Sequence, residues 1–157
     1  MFKVVAIATT GDRPKQLRQA VYSLLKQVDN VHVYDNSKNK DLGALAKFLY
    51  VDLFTEPVYY FTCDDDLIYP EDYIQRTIEE IEKNNCIISW HGRKLSPDAT
   101  SYYGYPHQEE VRYFQEINEY KELDTGGTGV MGFRTDYFKP EISTLPYKVC
   151  ADLTCGS

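Results

Sequence analysis

No stretch of this chain stays apolar long enough to span a bilayer: charge interrupts the hydrophobic runs within about ten residues, against roughly twenty needed for a helix. The opening residues, MFKVVAIATTGD, carry neither the basic region nor the cleavage site of a signal peptide. These absences lead to the expectation of a soluble chain without a transmembrane segment, working in the cytoplasm. Positive charge is also in deficit. The formal net charge is −7, whereas a nucleic-acid surface needs a basic face to displace counterions and an anionic membrane needs one to bind headgroups. The charge therefore argues against both as partners, and an anionic ligand has to be received by a metal or a local basic pocket. The four cysteines, Cys63, Cys86, Cys150 and Cys155, have no paired CxxC spacing, which argues against structural zinc; they are expected to be reduced, buried or incidental thiols. There is no P-loop either, and the acidic run at residues 64 to 66 lacks the turn glycine and DxDxDG progression of an EF-hand.

What is present suffices for one substantial core. The chain has 157 residues, 43% of them hydrophobic, and nothing in its composition calls for a second domain, so residues 1–157 are expected to form one. KVVAIAT (3–9) is a β-branched run that stops at Thr10, Gly11 and Asp12, as a strand buried on both faces does before a loop. Pro14 sits where a helix accepts its first residue, and Leu17, Val21, Leu24, Leu25 and Val28 recur on one helical face. NVHVYDNS (30–37) predicts a second strand ending at Asp35 and Asn36, and DLGALAKFLY (41–50) a shorter helix. PVYYFTC (57–63) is the third strand. Pro70, Glu71 and Asp72 then favour a helix start, with Ile74, Ile78 and Ile81 as its buried stripe, and CIISW (86–90) is the fourth strand. From Lys94 to Asp124 the pattern turns polar and tyrosine-rich, expected to be an ordered excursion over the sheet, before DTGGTGVMGFRTDYF (124–138) supplies a glycine-rich loop, a strand and a turn.

Alternating strands and helices predict an α/β fold around a mostly parallel sheet, and such sheets bind ligands beyond the carboxyl ends of their strands. Asp12, Asp35 and the triplet Asp64, Asp65 and Asp66 all fall at those ends. Three adjacent carboxylates repel one another unless water or a cation screens them. Mg²⁺ and Mn²⁺ take oxygen ligands and often use only one or two protein carboxylates. Along an extended segment Asp64 and Asp66 point one way and Asp65 the other, so the first and third are placed to share an ion; the alternative is a solvated acidic loop.

VVAIATTGDRPKQLRQAVYSLLKQVDNVHVYDN, the DDD followed by LIYPEDYI, SWHG, GGTGVMGFRTDYF and ADLTCG occur in the order found in bacterial glycosyltransferases of family 2 type, which the chain resembles over nearly its whole length. That resemblance implies the GT-A fold and transfer of a sugar from a UDP- or GDP-type nucleotide sugar to a glycan or other hydroxyl acceptor, with inversion and with Mn²⁺ or Mg²⁺. It makes DDD a DxD-type motif, with Asp64 and Asp66 on the metal and Asp65 toward ribose or sugar. It places Thr9, Thr10, Asp12 and Arg13 around the nucleoside, Asp35 at the base, and Lys47 within reach of the diphosphate or nucleoside. Turn and cap chemistry is the alternative for Asp12 and Asp35, and an ordinary exposed position for Lys47. Asp152 matches the base that deprotonates the acceptor, from the side of the sugar opposite the metal; a helix cap is its alternative. His91, Gly127, Thr128 and Gly129 border the acceptor side, where packing of the histidine and a plain turn are the competing readings.

A domain of this type usually continues further than the five residues that follow Asp152. The expectation is a minimal or truncated member in which nucleotide binding survives better than transfer. Two rivals remain: an inactive nucleotide- or glycan-binding module, and a sugar nucleotidyltransferase, for which TTGDRPK is a poor triphosphate loop.

Overall fold

A computed structural model describes residues 1–98, 109–112 and 121–140. Its centre is β1 (Phe2–Thr9), whose Val4, Val5, Ala6 and Ile7 are wholly buried. Successive residues of a strand face opposite sides, so this one run feeds two cores. Val4 and Ala6 pack with Leu45, Phe48, Val51 and Tyr60, beneath two short 3₁₀ helices, Gly43–Phe48 and Val51–Leu53. Val5 and Ile7 pack with Leu24, Phe61, Ile74 and Ile81, beneath helices α1 (Pro14–Leu25) and α2 (Tyr73–Asn84). The sheet is therefore covered on both faces.

Parallel β2 (Asn30–Asp35) and β3 (Val58–Asp64) flank β1. Beyond β3 lies antiparallel β8 (Val130–Arg134), and beyond that β4 (Ile88–Ser89), giving the order β2-β1-β3-β8-β4. A second, antiparallel sheet of order β6-β5-β7 is formed by β5 (Gly92–Lys94), β6 (Glu109–Val111) and β7 (Thr125–Gly126). The mostly parallel α/β sheet expected from the alternation of elements is thus present. Among the described residues no helix is long and apolar enough to cross a membrane.

Three local expectations change. Leu25 is exposed, because it lies one residue, and so about 100° around the helix, from buried Leu24. The segment after β2 is 3₁₀ rather than α-helical. Helix α2 starts at Tyr73, not Pro70: the Pro70 carbonyl accepts from Tyr73 N at 3.1 Å in a turn, so Glu71 and Asp72 precede the first helical turn instead of lying in it. Tyrosines 102, 103, 105 and 113 lie outside the described residues, as do Cys150, Asp152 and Cys155.

The small sheet carries its own acid-sensitive contact. Glu110 accepts from Arg112 Nε at 2.8 Å and from Arg93 Nε at 2.9 Å, and these bonds hold its carboxyl down from 4.5 to about 2. A depressed folded-state value stabilises the fold above the unfolded value and ceases to do so as pH falls through the folded one. Between pH 4.5 and about 2 the wild type is accordingly expected to lose denaturation midpoint more steeply than Glu110→Gln. Parallel curves for the two proteins would contradict this account.

Candidate functional site

The parallel strands end in register. Thr9 pairs with Asp35 and Ala8 with Asp64, which brings the loops after β2, β1 and β3 side by side along the carboxyl edge. Antiparallel β8 begins at that same edge, with Val130 opposite Cys63, so the glycine loop before it becomes the fourth neighbour.

The loop after β1 lies close against the loop after β2. Gly11 has φ +80°, and a Cβ there would come 2.5 Å from Ser37 Oγ, so both its backbone and its space require glycine. Thr10 Oγ1 donates to Asp12, which lowers the Asp12 pKa. Asp35 accepts from Ser37 N at 2.9 Å and Ser37 Oγ at 2.6 Å, and these bonds lower its pKa too. In this state both aspartates perform the turn chemistry that was the alternative for them.

The triplet divides as expected, but through a turn rather than strand alternation: β3 ends at Asp64, and Asp65 and Asp66 lie in the turn that follows it. Asp64 and Asp66 line one cavity of about 390 Å³, together with His91 and Gly127, Thr128 and Gly129. Asp65 does not line it; the side chain is buried, with Oδ1 at 3.1 Å from Arg13 Nη2. Arg13 also pairs with Asp66, so a single guanidinium ties the β1 loop to two carboxylates. Thr9, Thr10, Asp12, Arg13 and Asp35 lie along the edge beside the cavity and do not line it.

Lys47 overturns its alternative, that of an exposed lysine. It is buried on the first 3₁₀ helix, pairs with Asp64, and donates to the Thr128 carbonyl at 3.2 Å. Tyr60 OH, from β3, donates to the Lys47 carbonyl at 2.6 Å and fixes the backbone beneath it. Lys47 thus links the acidic strand end to the glycine loop.

The glycine loop approaches the triplet so closely that a side chain at Gly129 would overlap the Asp64 carboxylate, with its Cβ 2.6 Å from Asp64 Cγ. At Gly127 the same test meets the His91 ring, and Gly127 N donates to His91 O at 2.7 Å. His91 is therefore packed against the loop, as its competing reading holds, while still forming part of the cavity wall. The periodicity of the sequence did not single out Tyr69. Its hydroxyl donates to Gly129 O at 2.6 Å and accepts from Asp64 N at 2.7 Å, clamping the loop to the triplet; a lone aromatic after an acidic run carries no mark of that role. Tyr69→Phe keeps the ring but strands both partners, and is expected to cost about 1–3 kcal/mol in denaturant unfolding. A change under roughly 0.3 kcal/mol would show that the clamp is not stabilising.

Asp64 and Asp66 offer an oxygen-only pair, half open to one cavity, which fits a hard divalent cation that fills its remaining positions with water or phosphate oxygens. Among the described residues no group of three or more His, Cys, Asp or Glu side chains is arranged to hold a metal.

A doubly covered, mostly parallel sheet with an acidic strand end facing a glycine loop defines an α/β protein whose cavity lies at the carboxyl edge, where sheets of this kind bind ligands. More particularly, the model of glycosyl transferase family 2 matches residues 7–139, and the chain belongs to that family. Its fold is therefore GT-A and its function of the glycosyltransferase type. The matched residues include every predicted site residue except Asp152. A search of curated proteins found no match to the chain.

Proposed function

We propose that the chain transfers a sugar from a nucleoside-diphosphate sugar of UDP or GDP type to an acceptor hydroxyl, with inversion and with Mn²⁺ or Mg²⁺. The observation that carries this reading is the shared cavity wall: Asp64 and Asp66 on one side, Gly127 to Gly129 and His91 on the other. Along the sheet edge the order is Asp35, the Thr9 to Arg13 loop, the triplet, then the glycine loop. Nucleoside, diphosphate and sugar follow one another in the same order in an extended donor. Arg13 and Lys47 offset most of the triplet's charge, and a divalent cation would supply the remaining positive charge that an anionic donor needs in a chain of net charge −7. When bound, a divalent cation would neutralise charge on the departing diphosphate.

In this reading the loop after β1 and Asp35 hold the nucleoside, and the close-packed glycines let an acceptor sugar approach backbone. Asp65, buried against Arg13, orients that guanidinium, and the resemblance gives it the contact to ribose or sugar. Asp152 removes the proton from the acceptor oxygen as it attacks the anomeric carbon, a role that rests on the resemblance of ADLTCG to the family's late aspartate segment. The test is a panel of nucleotide sugars assayed for hydrolysis and transfer, with the wild type and Asp152→Asn. Turnover lost at least about 100-fold in the variant, with nucleotide affinity kept, is the expected result. Nucleotide binding without turnover across the panel would favour the inactive binding module, and a product of retained configuration would contradict the role of Asp152.

A further inference from the structure

The acidic triplet brings its own counter-ions. Lys47 meets Asp64, and Arg13 meets Asp65 and Asp66, so three carboxylates are opposed by two cations and one net negative charge is left. The two cations differ in freedom. The Arg13 side chain is 40% exposed and lies on a loop, whereas that of Lys47 is 5% exposed. Lys47 is further held by the Thr128 carbonyl at its ammonium group and by Tyr60 at its backbone. It is built into the wall behind Asp64.

Resting on the reading of the cavity as a diphosphate site, we propose that Lys47 is a resident counter-ion that makes divalent-cation binding depend on the nucleotide. A cation approaching Asp64 alone meets a carboxylate whose charge is already largely neutralised, and the fixed ammonium repels it from close range. A diphosphate supplies the missing negative oxygens, which attract the ion and offset the repulsion from the fixed ammonium. The metal then enters with the nucleotide. Removing the ammonium restores the charge of Asp64 and uncouples the two events.

Manganese chloride titrated into the whole chain, alone and with saturating UDP or GDP and corrected for chelation by free nucleotide, tests this directly. The wild type is expected to bind Mn²⁺ at least about tenfold more weakly without nucleotide than with it, a factor of about 1.4 kcal/mol. Lys47→Met and Lys47→Gln should each bind Mn²⁺ alone at least about tenfold more tightly than the wild type, a gain that mere structural damage does not produce. Folded variants with unchanged or weaker Mn²⁺ affinity would overturn the proposal while leaving the diphosphate reading intact. If neither variant folds, the wild-type comparison decides: equal Mn²⁺ affinity with and without nucleotide overturns the coupling. Failure of UDP and GDP to bind under any condition would sink the diphosphate reading, and the coupling with it.

Discussion

Replacing Asp66 with alanine is expected to abolish the Mn²⁺-dependent part of the stabilisation that UDP or GDP gives the wild type, while leaving the unliganded fold close to wild-type stability. The two halves of this expectation come from different features of one side chain. Asp66 is 41% exposed, and its partner Arg13 is 40% exposed and keeps Asp65 as a second carboxylate. Ion pairs in such surroundings contribute about 0–1 kcal/mol, so little stability is at stake. The same carboxylate supplies half of the oxygen pair on the cavity wall. A nucleotide at about 100 times its dissociation constant stabilises the state it binds by about 2.7 kcal/mol, and the share that needs the metal should vanish. Melting curves with nucleotide, with and without MnCl₂, read both quantities together. An Asp66→Ala protein that still answers to Mn²⁺ as the wild type does would remove Asp66 from the metal site.

Gly129→Ala is expected to damage both the site and the fold. A methyl group there has no room: it would overlap the Asp64 carboxylate, which is itself held by Lys47 on one side and whose backbone N–H is bonded to Tyr69. Either Asp64 turns out of the cavity or the glycine loop moves, and the second choice breaks the bonds from Tyr69 OH to Gly129 O and from Lys47 to Thr128 O. Overpacking of this kind costs about 1–3 kcal/mol. The expected result is an unfolding free energy lowered by that amount together with loss of the metal-dependent nucleotide response. A variant matching the wild type in both would mean that the loop yields freely, contrary to the close contact between Gly129 and Asp64.

The parts of the molecule legible in the sequence are those written in local pattern. The β-branched run of residues 3–9 announces a strand buried on both faces, and Val4 to Ile7 are wholly buried. Pro14 marks the start of α1, and PVYYFTC followed by the acidic run marks a strand that ends at Asp64, although the side on which each aspartate falls is set by the turn at Asp65 and Asp66 rather than by alternation. What escapes local pattern depends on residues distant in the chain. Lys47 looks like a solvent lysine in GALAKF until β3 and the glycine loop close around it. Arg13 reaches Asp66 across 53 residues, and Tyr69 reaches Gly129 across 60. Neither periodicity nor composition encodes such partners. TGGTG is similarly ambiguous in sequence: a turn accounts for its glycines, and only the position of Asp64 beside Gly129 gives one of them a reason tied to the site.

The central claim is that Asp64 and Asp66 hold one divalent cation against a nucleoside diphosphate. Anomalous diffraction from manganese, in crystals of the whole chain grown with MnCl₂ and UDP or GDP, tests it most directly. The predicted result is a single anomalous peak within coordination distance of carboxylate oxygens of Asp64 and Asp66, with the diphosphate completing its shell. A bound nucleotide with its manganese elsewhere, or with no manganese at all, would contradict the claim.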